Sequence, residues 1–519
     1  MQQVTESSYD QYPYPSVPLR WTHPDMLSTM SALFGLAAAP VNSCRVLEIG
    51  CSDGANIIPM AANLSDSHFT GIDLSAAHIQ RGQAVSDELD LHNLILQHLD
   101  VMDVNDTFGE FDYIIAYGIF SWVPHEVQEK ILQVCQRHLS PNGVAFISYN
   151  TYPGWHMRGV VRDMMLYHSS RYGDMKTRIE QSRAMLHFLA SASPQVVGRL
   201  PENKAFCTIL ESEQQRLAKQ SDSYLLHEML EEYNEPIYFH QFMVRAAAHG
   251  LQYLSEAELT TMMPDMLPPE IVATIGQLSG DIVATEQYLD FVRNRMFRQT
   301  LLCRQEVRLE RTLGRGTLCP LYLASAIIPV SEAPSIQSIE VEKFRLPSGT
   351  TVTSNNPLIK AAFLVLSQNW PFALSFNSLL SEARLHSHSN ASLEADAQIL
   401  EDTLLKSLAV ELIELNQNPP RFCSTISGFP CANVMARLQA RHEEQITNQR
   451  HELVNVDAVT RVLLTLLDGR HSHADLYTAM QEYSDNHSSD PAQAKEQISL
   501  SEMVESKLRD LARAALLVA

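Results

Sequence analysis

The chain has 519 residues, and its 38 Lys and Arg against 60 Asp and Glu give a formal charge of −22. That length holds two or three domains with ample core, and that charge speaks against a phosphate-backbone substrate and favours a cationic partner such as a lysine-rich protein. No run approaches the ~18 apolar residues of a membrane helix; the first residues, Met-Gln-Gln-Val-Thr-Glu, lack a signal peptide's basic flank and apolar core; and eight cysteines without zinc-like spacing read as reduced thiols of a cytoplasmic protein.

Residues 1–40 read as an N-terminal lid segment. The stretch Val46-Leu-Glu-Ile-Gly-Cys-Ser-Asp-Gly54 then carries the first strong signal. An apolar run enters a turn at Gly50 and Gly54, and a helical pattern follows from Ala55 to Asn63. This is a buried strand, a tight loop and a helix N-terminus, where an α/β fold holds a nucleotide-like ligand. A dinucleotide fingerprint requires glycine at position 52, where the chain has Ser52. What fits is acidic-x-Gly-x-small-x-Gly with Glu48 at the strand end, where a carboxylate repels phosphate but suits a ligand bearing an ammonium and a sulfonium.

Further strand patterns follow at 68–74, 94–100, 111–118 and 144–150, with helical patterns at 75–89 and 124–138 between them. The segment Leu139–Gly143 reads as a turn ahead of the fifth strand. Asp73 lies 23 residues beyond Gly50, near the ~20-residue offset at which a carboxylate meets ribose hydroxyls. Asp100 ends the third strand, placed to accept from an adenine amine. Alternating strands and helices predict a doubly wound parallel sheet with its crevice at the strand C-termini.

Residues 157–235 read as helices almost throughout, an insertion. A helix at 239–249 and strands at 251–254 and 297–303 supply the closing antiparallel pair that such a sheet requires. After a polar linker at 331–338 come a hairpin at 344–353 with its turn at Pro347-Ser-Gly349, helices at 357–367, 376–386 and 393–407, and a strand at 410–414. That is a winged-helix order, and the theme repeats at 456–467 and 472–482. The expected recognition helix carries few Lys or Arg, so protein contact is favoured over nucleic acid. His386-Ser-His388 and His471-Ser-His473 lack a neighbouring Cys or carboxylate cluster, so they read as loop histidines and no metal site is assigned.

The segments Ser8–Tyr14, Trp21-Thr-His-Pro24, Phe111–Ile115 with Ser121-Trp-Val-Pro124, and Ser148–His156 resemble bacterial class I S-adenosylmethionine (SAM)-dependent methyltransferases that carry a methyltransferase regulatory domain. Tyr224-Leu-Leu-His-Glu228, Tyr238-Phe-His240 and Gly250–Ala257 resemble the regulatory segment itself. The family includes rickettsial protein-lysine methyltransferases with a C-terminal winged helix. Ser52 departs from the glycine usual in the family's loop; a small hydroxyl residue is expected to fit. The resemblance implies an α/β fold: a Rossmann-like methyltransferase domain over 41–310, with a helical insertion near 157–235, a regulatory segment near 220–305, and a winged-helix-like α+β region over 335–519. It implies SAM as cofactor, held by Glu48, Gly50, Ser52, Gly54, Asp73, Leu74, Asp100, Val101 and Tyr117.

The sulfonium activates its own methyl group, so the protein must align a nucleophile and keep water out. A lysine amine, with a reference pKa of ~10.4, needs desolvation or a proton exit. Aromatic walls suit it, and such residues flank two strand ends: Tyr9, Tyr12 and Tyr14, Phe120 and Trp122, Tyr149, Tyr152 and Trp155. Trp122, Tyr149 and Tyr152 are the expected acceptor channel, with Tyr149 or a water taking the proton. The expected function is methyl transfer to protein lysine; a small-molecule or lipid methyltransferase and a SAM-binding scaffold without turnover share the same acids. A homodimer is left open.

Overall fold

The computed structural model describes residue 12 and residues 16–264, 267–419, 422–423, 425–487 and 499–518. Tyr9 and Tyr14 lie outside these. Helix α1 (Pro24–Leu33) precedes β1 (Arg45–Ile49), and α2 (Ile57–Asn63), β2 (His68–Asp73), α3 (Ala76–Glu88), β3 (Leu94–His98), β4 (Phe111–Ala116), α4 (His125–His138) and β5 (Leu139–Asn150) follow. The insertion is built from α5 (Trp155–Ser169), α6 (Met175–Arg199), α7 (Lys204–Leu217), α8 (Asp222–Leu225) and a π-helical turn at Leu226–Leu230. The chain then returns through α9 (Phe239–Ala248), β6 (Leu251–Glu256), α10 (Pro269–Leu278), α11 (Ile282–Arg293) and β7 (Phe297–Arg304).

The seven strands lie in the order β3-β2-β1-β4-β5-β7-β6. The first five are parallel, and β7 runs antiparallel between β5 and β6. Central parallel strands are covered on both faces, which is why β1 and β4 read as near-continuous apolar runs. Period-two alternation sends Val46, Tyr113, Val144 and Phe146 to one face, beneath α1, and Leu47, Ile114, Ile147 and Tyr149 to the other, beneath α4 and α9.

Two expectations shift. The turn expected at Leu139–Gly143 is the first part of β5: Phe111 pairs with Leu139 and Tyr113 with Val144, so the extra residues form a bulge within the pairing. The strand expected at 410–414 begins only at Glu414. Glu411 adopts a left-handed φ of 54°, and Leu412 N–H donates to Ser407 O, so residues 409–412 close the preceding helix.

Beyond the sheet, β8 to β13 (Tyr322–Ala324, Ile328–Pro329, Glu342–Arg345, Thr351–Ser354, Leu374–Ser375 and Glu414–Asn416) interleave with α12 (Pro357–Asn369), α13 (Phe376–Ser387) and α14 (Leu393–Leu408). Phe344, Phe363, Leu379 and Leu400 from this stretch join the same apolar cluster as Val46 and Phe146. The final stretch, with α15 (Val434–Gln439), the hairpin β14 (Gln445–Thr447) and β15 (Leu453–Asn455), α16 (Ala458–Leu466), α17 (His473–His487) and α18 (Leu500–Arg513), has its own core around Leu463, Leu476, Leu508 and Leu517. The described residues from 335 onward thus feed two cores. Among the described residues no helix is long and apolar enough to cross a membrane.

Candidate functional site

The crevice is built on the loop after β1. Gly50, Ser52 and Gly54 have φ of 73°, 52° and 81°. Ser52 is held in this left-handed state, which costs a non-glycine residue about 1–2 kcal/mol, by two contacts. Its N–H donates to Asp73 Oδ2 at 2.8 Å, and its Oγ meets His78 Nδ1 at 3.1 Å. Gly50 has no room to spare, since a Cβ there would sit 3.1 Å from Ile119 Cδ1. Sequence reading missed Gly82, which lets α3 pack directly on the loop: a Cβ there would lie 2.6 Å from Asp53 O.

Three acids converge at the strand ends. Glu48 is 4% exposed; Asn56 Nδ2 donates to its Oε1 at 2.8 Å, while its Oε2 is buried with no hydrogen-bond partner. Burial pushes its pKa up to about 8, against the pull of the Asn56 bond. Asp73 also accepts the Ser75 N–H, and Asp100 accepts the Met102 N–H and caps the turn Val101–Asp103. Both therefore do ordinary backbone work, and each carboxylate retains lone pairs for a ligand. Leu74, between them, exposes 69% of its surface; Val101 is buried; Tyr117, half-buried, follows β4 beside Phe146.

The insertion roofs this crevice. Arg158 on α5 lies 5.0 Å from the Trp155 ring centroid and pairs with Glu213 and Glu228, and Trp155 meets Trp122 edge to face at 6.3 Å. Arg216 binds Glu213 at 2.6 Å and donates to the Tyr224 hydroxyl at 3.0 Å. Glu228 sits on the π turn, a feature frequent at functional sites. Its pKa is raised by burial, with Arg158 and Arg216 opposing, and its charge in turn helps raise the Tyr117 hydroxyl. Tyr12 packs on the same helices, its carbonyl meeting Ser223 and His227. Tyr152 stacks on His156 at 3.9 Å and meets Tyr238 at 5.1 Å.

Tyr149 and Phe120 are exceptions, Phe120 being fully buried against Tyr149 and Phe242. The Tyr149 ring stacks 4.2 Å from Phe242, its hydroxyl and Thr300 Oγ1 share a 3.0 Å hydrogen bond, and the residue is 1% exposed. It faces the core beneath α9, so its expected channel role is corrected: β5 runs straight through Asn150, and alternation places Tyr149 with Ala145 and Ile147. Among the described residues no group of three His, Cys, Asp or Glu could hold a metal; His471 and His473 instead bond to Asp468 and Glu505.

The residues present fit SAM. The orphaned Glu48 Oε2 lacks the donor that an ammonium supplies, and the acids at β2 and β3 match hydroxyl and amine donors. Sheet order and site together define a class I SAM-dependent methyltransferase. Family models agree, matching a methyltransferase domain at residues 47–145, a predicted methyltransferase regulatory domain at 221–304 and the PKMT C-terminal winged helix domain at 429–518. An uncharacterized protein of Rickettsia prowazekii (strain Madrid E), RP789, is 36% identical over 480 residues, 91% of this chain and 85% of that protein. The structure of PKMT2 from Rickettsia typhi is similar with a TM-score of 0.86 and 30% identity, over 98% of this chain and all of that one; PKMT2 in complex with AdoHcy gives 0.87. The chain belongs to this family of methyltransferases with a regulatory domain and a PKMT winged helix.

Proposed function

We propose that this methyltransferase modifies lysine side chains of protein substrates in the cytoplasm. The observation that carries the reading is the roof: a carboxylate, Glu228, paired with Arg158, which lies over Trp155 and through it adjoins Trp122, and close enough to Tyr117 and Tyr224 to join burial in raising both hydroxyls. An aromatic wall beside a buried carboxylate suits a cation that must lose a proton. The likeness to PKMT2 over its whole length supports the same substrate class, as does the charge of −22. Eight cysteines, all free, support a reducing compartment.

When bound, SAM supplies an activated methyl group. Glu48, Asp73 and Asp100 accept its polar groups, the backbone of Gly50, Ser52 and Gly54 shapes the floor, and Leu74, Val101 and Tyr117 flank it. Trp122 and Tyr152 line the approach of the amine. Glu228, its basicity raised by burial, takes the amine's proton, the role first expected of Tyr149. Incubating the purified enzyme with tritiated SAM and a cell lysate, then separating protein, lipid and metabolite fractions, tests the reading. Label is expected in protein, on lysine; label confined to lipid or metabolites overturns it.

A further inference from the structure

We propose that the winged-helix domain completes the cofactor site, with His451 acting as a positioning residue through Asn56 on Glu48. The inference rests on the SAM site and is independent of the acceptor.

The turn between β14 and β15 inserts His451 beneath the cofactor loop. It holds a left-handed φ of 61° and is 1% exposed. Neighbours fasten the turn on both sides: Glu452 pairs with Arg20 at 2.6 Å, Arg450 pairs with Glu414, and the Arg450 guanidinium lies 4.0 Å from the Trp370 ring. The rest of the domain grips the elements that follow the loop, with Asn433 on Asn63 and Arg441 on Glu88.

Hydrogen-bond chemistry assigns a direction to the relay. Leu19 N–H can only donate, and it points at Asn56 Oδ1 at 2.8 Å. The Asn56 amide therefore turns its Nδ2 toward Glu48 and Thr22. His451 Nε2 lies 2.8 Å from the same Oδ1, so it must carry the proton and donate. Its Nδ1 is buried without a hydrogen-bond partner, and burial together with the His23 ring 5.5 Å away holds the imidazole neutral. With Asn56 so locked, Glu48 keeps one oxygen satisfied and leaves Oε2 for the ligand. The groups around Glu48 are Asn56 on its own loop, Cys51 and Asp73, whose charge adds to its raised pKa.

The test uses the full-length protein and AdoHcy as the probe, measured by calorimetry. His451→Leu should weaken binding about tenfold, the order expected for a lost buried hydrogen bond. His451→Gln, under the same backbone strain but with an N–H to donate, should stay within about threefold of the parent. Affinity within about twofold in the leucine variant overturns the proposal. To separate a relay from general loosening, both changes are repeated in a Glu48→Gln background. A smaller loss there supports the relay; an equal loss in both backgrounds means His451 merely holds structure, and overturns it. Wild-type protein that fails to bind AdoHcy would instead overturn the cofactor reading.

Discussion

Asp73 Oδ2 accepts the backbone N–H of Ser52 at 2.8 Å, so the acid at the end of β2 is also the strut of the loop after β1. Asp73→Ala removes that strut along with a carboxylate that receives ligand hydroxyls. SAM or AdoHcy affinity should fall roughly ten- to a hundredfold, the equivalent of ~1.5–3 kcal/mol. Asp73→Asn, which keeps an acceptor oxygen but no charge, should fall between. Calorimetry showing unchanged affinity for the alanine variant would remove Asp73 from the site.

Tyr149 and Tyr152 separate two roles three residues apart. Tyr149→Phe breaks only the bond to Thr300 and should cost about 1 kcal/mol of stability with turnover unchanged. Tyr152→Ala should cut turnover on protein substrate far more than it weakens cofactor binding. Steady-state rates set beside titrated affinities check both; a Tyr149→Phe enzyme that is folded but dead would restore that residue to the chemistry.

Stability of the ligand-free protein should fall as pH rises from 6.5 to 8.5. Burial raises Asp25 and Glu286 to about 7 and Glu48 to about 8, from ordinary values of 3.8, 4.5 and 4.5. Up to those values the folded chain keeps protons that the unfolded chain has released, so stability falls as pH rises toward about 7 for Asp25 and Glu286 and about 8 for Glu48, and levels off above. Below 6.5 the fall is partly offset, because His23, lowered to about 4, and His451 refuse protons that the unfolded chain accepts. Thermal unfolding across the window measures the slope, and Glu48→Gln should flatten it in part. A flat or rising profile would mean these carboxyls are ionised in the fold.

Arg298 sits fully buried, 3.7 Å from the Phe239 ring centroid, bonded to Asp290, Glu286 and Glu256 at 2.7–3.0 Å. Arg298→Met leaves three buried acids with Arg295 alone and should destabilise by ~3–5 kcal/mol at neutral pH. The loss should shrink near pH 5, where Glu286 and Asp290, both raised by burial, can take protons. Denaturant midpoints at both pH values decide it; an equal loss at both would mean the network is not electrostatic.

What was legible in the sequence was what burial and period enforce. Strands such as Val46–Ile49 and Phe111–Ala116 announce themselves because both faces are covered, and Asp73 and Asp100 follow from strand ends and spacing. Tyr149 was within reach of the same logic, since counting by twos from Ala145 places it in the core. The His451–Asn56 contact was not: 395 positions separate the partners, and no periodicity links a hairpin tip to a distant loop. The roof was partly hidden for the same reason. Arg158 and Glu228 stand on different helices, and only their packing brings them together.

Strand β7 lies between β5 and β6, and it is made about 150 residues after β5. On the ribosome, at roughly 5–20 residues per second, that gap lasts about 8–30 seconds. Throughout it β5 presents an unpaired row of amides and carbonyls, the template on which foreign strands dock. A nascent chain of this enzyme is therefore most exposed to aggregation after its five parallel strands have emerged and before residue 304 does.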